Sequence, residues 1–218
     1  MELAGKTAIV TGSSRGIGRG IALALGAQGA AVVVVARSQH DVSERPSGLN
    51  PGEAQVSGQL PGTIDQTFKD LEALGTQALG VSCDVTKEDQ VQRMVAQTLE
   101  RFGRIDILVN NVGVYAPQYY LDIPPERFGQ IMNVNILGMY LPSKHVLPHM
   151  IDQRAGSIIN IGSNTGVDGL RRDGTNFLYA ISKAGVHRLT TFIGSEVEEY
   201  GIAANILTMG MIVRTPGQ

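Results

Sequence analysis

Tyr179 and Lys183 stand four residues apart in Tyr179-Ala180-Ile181-Ser182-Lys183. On a helix that spacing puts both side chains on one face, so the Lys183 ammonium can approach the Tyr179 phenol. A free tyrosine gives up its proton near pH ~10, and a neighbouring cation lowers that value by stabilising the phenolate. The pair is therefore expected to exchange a proton near neutral pH. Far upstream, Thr11-Gly12-Ser13-Ser14-Arg15-Gly16-Ile17-Gly18 follows an apolar strand and opens a helical stretch. Glycines at such a turn let the backbone come close to a pyrophosphate, and the helix N-terminus aims its N–H groups at it. One end of the chain is suited to hold a dinucleotide and the other to move a proton.

Alternating elements must position these groups. Apolar, β-branched runs at residues 7–10, 31–35, 78–81, 105–109, 157–161 and 205–207 suit strands buried on both faces. Helical patterns lie between them at 17–28, 64–74, 87–102, 125–150 and 179–200. This alternation predicts an α/β fold with a doubly wound, parallel, Rossmann-like sheet in a single domain spanning 1–218. Pro142 and Pro148 fall within the fourth long helical pattern, where a missing N–H donor is expected to kink or end the helix. Residues 38–62 break the rhythm with Pro46, Pro51, Pro61 and four glycines, predicting a long inserted loop. Leaving the second strand beside the expected cofactor site, it is read either as a cover for that site or as a mobile insert.

Bulk composition narrows the function. A chain of 218 residues, 43% hydrophobic with a net charge of -2, can build one sizeable core. Its scattered basic residues give no reason to expect nucleic acid or an anionic membrane as partner. No run of about 18 apolar residues is present, so neither a membrane span nor a signal peptide is expected. The single Cys83 excludes an internal disulfide and is read as a buried residue ending a strand; a cytoplasmic location is the simplest reading. No metal ligands are expected.

With T-G-x-x-x-G-x-G at Thr11 to Gly18 and Y-x-x-x-K at Tyr179 to Lys183, the chain resembles the short-chain dehydrogenase/reductase family from about Lys6 to Thr215. Asn110-Asn111-Val112-Gly113 resembles the family's N-N-A-G, with Val112 departing from it by two carbons expected to crowd the packing behind the cofactor. The resemblance implies a catalytic set of Asn135, Ser163, Tyr179 and Lys183. Ser163 would orient the substrate oxygen and Tyr179 exchange a proton with it. Lys183 would hold the ribose and lower the Tyr179 pKa, and Asn135 would fix a water linking the lysine to solvent. It also implies cofactor contacts from Gly12, Ser14, Arg15, Gly16, Ile17, Gly18, Arg37, Asp84, Val85, Asn111, Gly113, Tyr179, Lys183 and Gly210. Asp84 matches the residue that bonds the adenine; the alternative is an acid at a helix start ahead of Thr86.

Charge after the second strand bears on cofactor choice. An acid there would bond the ribose hydroxyls and repel a 2′-phosphate, but Ala36 and Arg37 stand in its place. Arg15 adds a second guanidinium, and the two favour NADP(H). Either arginine could instead be solvated, and Asp41 or Glu44 could return to the pocket, so NAD(H) stays possible. From Ser163 to Tyr179 is 16 residues against about 13 in the family, which predicts an excursion bearing Arg171, Arg172 and Asp173, read as an acidic-substrate contact or as a solvated or subunit-contacting loop. Met209-Gly210 replaces the family's P-G, and relatives usually continue past Gln218 through a substrate-covering segment and a final strand.

The expected activity is an NAD(P)(H)-dependent oxidoreductase that interconverts a carbonyl and a secondary alcohol on a small molecule. The alternative is a scaffold protein that keeps the nucleotide pocket but is catalytically impaired. A homodimer or homotetramer is implied, with residues 125–150 and 179–200 packing on their symmetry copies through Gly185, Val186, Leu189, Ile193 and Val197.

Overall fold

Six parallel strands form one sheet in the order β3-β2-β1-β4-β5-β6. A computed structural model describes residues 1–37, 62–115, 117–167 and 177–209. The strands are β1 Thr7–Thr11, β2 Ala31–Ala36, β3 Ala78–Ser82, β4 Ile107–Asn110, β5 Gly156–Ile161 and β6 Ile202–Leu207. The helices are α1 Gly16–Ala27, α2 Ile64–Ala73, α3 Glu88–Phe102, α4 Pro125–Met132, α5 Gly138–Gln153 and α6 Phe177–Val197. No helix among the described residues is long and apolar enough to cross a membrane.

β1 and β2 are interior strands and are buried along almost their whole length. Their side chains divide between two apolar clusters, one with Ile9, Val33 and Val35, the other with Val10, Val32 and Val34. Alternating residues thus feed opposite faces, each covered by helices, as parallel sheets require. The strand order reverses between β1 and β4, and a crevice opens at the carboxyl ends of strands at such a switch point.

The expected disturbance at Pro142 and Pro148 is not where the helix changes. α5 runs through both prolines, and a π-helical turn, Asn133–Leu137, precedes it. Met139, Leu141, Val146 and Met150 are all buried on α5. At about 1.5–3 kcal/mol for each buried side chain of this size, the four together match or exceed the cost of two interior prolines at about 3 kcal/mol each. Of the expected loop at 38–62, residues 38–61 lie outside the described residues. Gly62 abuts the Ser14 carbonyl, so the chain re-enters the fold at the glycine-rich turn.

Candidate active site

The turn after β1 is built by sterics. Gly12 has φ +66°, a conformation that costs other residues free energy. At Gly18 an added Cβ would lie 2.3 Å from the Gly12 carbonyl oxygen and 2.4 Å from Asn111 Nδ2. α1 can therefore press on the turn only with glycine there. Ser13 Oγ donates to the Val10 carbonyl at 2.6 Å and accepts from the Val35 N–H at 2.9 Å, joining the turn to β2. Thr67 of α2 donates to the Ser14 carbonyl at 3.3 Å. Arg15 begins α1 in extended backbone without a side-chain cap, and the first turn carries no acid. The N–H groups and positive dipole end of α1 therefore suit an anion. Gly18→Ala is expected to lower stability by about 1–3 kcal/mol, the usual range for overpacking, and to weaken nucleotide binding; thermal melting and nucleotide titration read the two effects.

β4 delivers the opposite wall. Asn111 donates through Nδ2 to the carbonyls of Thr11 at 3.0 Å and Gly12 at 3.2 Å, and through its N–H to Thr11 Oγ1 at 3.0 Å. Val112, expected to crowd this region, is half-buried against the core and beside Gly12. Below it, Asn110 Nδ2 donates to Ser143 Oγ at 2.9 Å and Asn160 Oδ1 at 2.8 Å. Asn160 Nδ2 donates to Thr190 Oγ1 at 2.8 Å, so a buried polar chain ties β4 and β5 to α5 and α6.

Arg37 and Asp84 leave the carboxyl ends of the paired strands β2 and β3. Arg37 is exposed, and its carbonyl accepts from Ser82 Oγ at 3.2 Å. The Asp84 carboxylate accepts through Oδ1 from the Thr86 N–H at 3.0 Å and Thr86 Oγ1 at 2.8 Å, the local bonding of an acid ahead of a helix start. Val85 is buried in the core beside Gly138, leaving its backbone for any cofactor contact. Ile17 is half-buried at the start of α1. Gly210 lies outside the described residues, as does the excursion bearing Arg171, Arg172 and Asp173.

At the catalytic end the π turn points Asn135 inward, where it is completely buried. Its Nδ2 donates to the Val114 carbonyl at 3.0 Å and Ser182 Oγ at 2.9 Å, and its Oδ1 accepts from the Val114 N–H at 2.8 Å. Ser182 in turn donates to the Tyr179 carbonyl at 2.8 Å. Asn135 thus clamps the segment after β4 to the second turn of α6. Gly113 lies within this clamp, an added Cβ there being 3.5 Å from Lys183 Nζ.

Ser163 follows β5; its hydroxyl lies 2.9 Å from Thr165 Oγ1 and is near enough to the Tyr179 phenol to lower that group's pKa. Tyr179 and Lys183 do share a face of α6, but the lysine aims elsewhere. Its Nζ donates to the Ile161 carbonyl at 2.6 Å and lies 5.6 Å from the centre of the Tyr179 ring. Burial brings the Lys183 pKa down to about 8. Contrary to expectation, the Tyr179 pKa is raised. Burial of the phenol is the main cause, the Ser163 hydroxyl lowers it, and Tyr115 raises it further. The four-residue spacing brings the ammonium to the ring, while its hydrogen bond goes to the Ile161 carbonyl.

Two residues at the site carry no motif. Tyr115 packs edge-to-face on Tyr179 with ring centres 5.4 Å apart and is 47% exposed, so it offers a contact surface beside the phenol. His187, one turn beyond Lys183, lies 3.2 Å from the Ser163 carbonyl. One further four-residue step along the helix from Lys183 reaches His187; nothing in the sequence pattern singles out Tyr115.

The fold and the glycine-rich turn define a dinucleotide-binding class, and comparison with known proteins narrows it. The chain matches the family model for short chain dehydrogenase over residues 6–59 and 54–218, and it belongs to that oxidoreductase family. It is 34% identical over 210 residues to an L-fucose dehydrogenase of Bos taurus, covering 96% of this chain and 67% of that one. A metagenomic short-chain oxidoreductase solved with NADP is similar, with a TM-score of 0.79 and 29% identity over 97% of this chain and 85% of that one. An NAD+-bound xylitol dehydrogenase has a TM-score of 0.80 and 26% identity over 95% and 71%. Family members of this kind interconvert alcohols and carbonyls with a nicotinamide dinucleotide, and these two structures differ in which one they hold.

Proposed function

We propose that the chain is an NADP(H)-dependent oxidoreductase that reduces a small-molecule ketone, or oxidises the matching secondary alcohol, with Tyr179 as the proton carrier. The observation that carries this reading is the convergence of Ser163, Tyr179 and Lys183 at the carboxyl edge of the same sheet as the glycine-rich turn. Gly12, Gly18 and the uncapped first turn of α1 fit a pyrophosphate, and Arg15 and Arg37 would face the adenosine phosphate. When bound, the nicotinamide supplies or accepts the hydride.

The remaining chemistry belongs to the side chains. The Ser163 hydroxyl orients the substrate oxygen while the Tyr179 phenol gives it a proton. The raised pKa keeps the phenol protonated, as a donor must be, and the Ser163 hydroxyl then eases the negative charge left on the phenolate. The nearby Lys183 ammonium holds the ribose and adds positive charge behind the ring. Asn135 keeps Gly113 and Val114 seated against α6, and Tyr115 bounds the substrate side.

The arginines yield an expected cofactor preference. NADPH should bind more tightly than NADH, and Arg37→Asp should cost NADPH about 10- to 100-fold, the loss of a charge-assisted bond. Fluorescence titration of both nucleotides checks it, and wild-type affinity for NADH equal to that for NADPH would refute the assignment.

The subunit reading is a helix-mediated homodimer in a cytoplasmic enzyme. Of the apolar stripe expected to meet a partner, Val186, Ile193 and Val197 are buried within the chain. The exposed apolar groove instead combines Met132, Ile136, Leu137 and Tyr140 with Leu189 of α6. Sedimentation at micromolar concentration tests it; a stable monomer rules out this interface.

A further inference from the structure

His187 takes no part in the proton exchange between Tyr179 and the substrate oxygen. It lies four residues after Lys183, so Tyr179, Lys183 and His187 form one stripe along α6. The Ser163 carbonyl beside it can only accept, so the imidazole carries its hydrogen on Nε2 and donates.

We propose that His187 is a positioning residue: its Nε2–H, 3.2 Å from the Ser163 carbonyl, holds the Ser163 turn in the orientation that brings the hydroxyl to the Tyr179 phenol. The proposal rests on the reading of Tyr179 as proton carrier. β5 ends at Ile161, and the Gly162 N–H makes the last contact with β6, donating to the Leu207 carbonyl at 2.9 Å. Ser163 therefore lies beyond the sheet ladder. Its turn closes on itself: the Gly166 N–H donates to the Ser163 carbonyl at 3.1 Å and the Thr165 N–H to Ser163 Oγ at 3.2 Å. Those bonds shape the turn but do not attach it to α6.

Two of the contacts that attach it to α6 bear on its placement. Gly166 rests on the backbone of Lys183 and Ala184, where an added Cβ would be 2.6 Å from the Lys183 carbonyl carbon, and this sets how close the turn approaches. His187 supplies the directed bond that sets its rotation, and Gly162 packs on the same ring nitrogen, 3.0 Å from the place of an added Cβ. The phenol is faced by Ser163 from this turn, Lys183 from α6 and Tyr115 from the segment after β4. Only the first depends on His187. Without that tie the turn rotates away, and burial and Tyr115 act on the phenol unopposed by Ser163.

The test reads the phenol directly and needs no substrate. The full chain is labelled with carbon-13 at the tyrosine Cζ, the Tyr179 signal is assigned with Tyr179→Phe, and its pH titration is followed by NMR. Ser163→Ala is expected to move the Tyr179 midpoint upward, and His187→Leu to move it in the same direction. His187→Gln, whose amide nitrogen reaches the same place, should restore the wild-type midpoint. His187→Asn is one methylene too short and should behave like His187→Leu; it also serves if the leucine variant does not fold. A wild-type midpoint in His187→Asn or His187→Leu alongside a displaced one in Ser163→Ala would overturn the proposal. So would a displaced midpoint in His187→Gln, or an unmoved one in Ser163→Ala. Failure of the wild type to reduce any carbonyl would count against the oxidoreductase reading alone.

Discussion

Replacing Tyr179 with phenylalanine is expected to cut turnover by about 10²- to 10⁴-fold, the usual contribution of one positioned acid, with nucleotide affinity near that of the wild type. The substitution deletes a hydroxyl and keeps the ring. The edge-to-face contact with Tyr115 at 5.4 Å therefore survives, as does the ring beside Lys183 Nζ. Ser163 and Lys183 stay where they are, and only the proton is missing. Single-turnover kinetics separate this loss from changes in binding; undiminished turnover in the phenylalanine variant would exclude Tyr179 as the acid.

Lys183→Met is expected to lose both turnover and nucleotide affinity, together with a particular pH dependence of stability. Burial places the Lys183 pKa at about 8 against 10.5 for an ordinary lysine. At about 1.4 kcal/mol for each factor of ten in proton affinity, that gap costs the folded state about 3 kcal/mol. The cost is fully present below pH 8, where folded and unfolded chains both carry the charge. It fades as pH rises from 8 to 10.5, because the unfolded chain then holds more protons, and it vanishes above that range. Methionine carries no charge and escapes it. Relative to Lys183→Met, the wild type should therefore gain about 3 kcal/mol between pH 7 and pH 11. Urea unfolding of both proteins across this range measures the difference, in which the groups they share cancel. A constant difference would mean that Lys183 is not desolvated as the fold implies.

Much of the fold was legible because its strands are buried on both faces. Val32 to Val35 form an unbroken β-branched run, and both apolar clusters draw on it. β6 was read only at 205–207 because at the sheet edge its residues alternate between buried and exposed positions, and Ala203 and Ala204 carry little apolar signal. The π turn Asn133–Leu137 was not legible. It is held by the bonds of Asn135 to Val114 and Ser182, which are distant in sequence. The prolines pointed to the right helix and the wrong turn of it.

The site divides along the same line. Spacing along one helix put Tyr179 and Lys183 on a common face, and the glycines of the turn are explained by clashes that any Cβ would make. Spacing could not say that Lys183 would bond the Ile161 carbonyl, since that acceptor comes from β5. Nor could it weigh burial of the phenol against the lysine, because burial depends on how Tyr115 and the segment after β4 fold over it. His187 was within reach of the same four-residue rule, but its partner, the Ser163 carbonyl, is a main-chain atom that no side-chain motif announces.

Deuterium transfer tests the hydride and proton chemistry together. The protein is incubated with NADPH deuterated at the transferable position of C4 and with a panel of ketones, and the alcohols formed are analysed by mass spectrometry. Deuterium on the carbinol carbon of at least one product, formed by the wild type and strongly reduced with Tyr179→Phe, is the expected result. Tight NADPH binding with no deuterium in any product, or equal transfer by the two proteins, would contradict it.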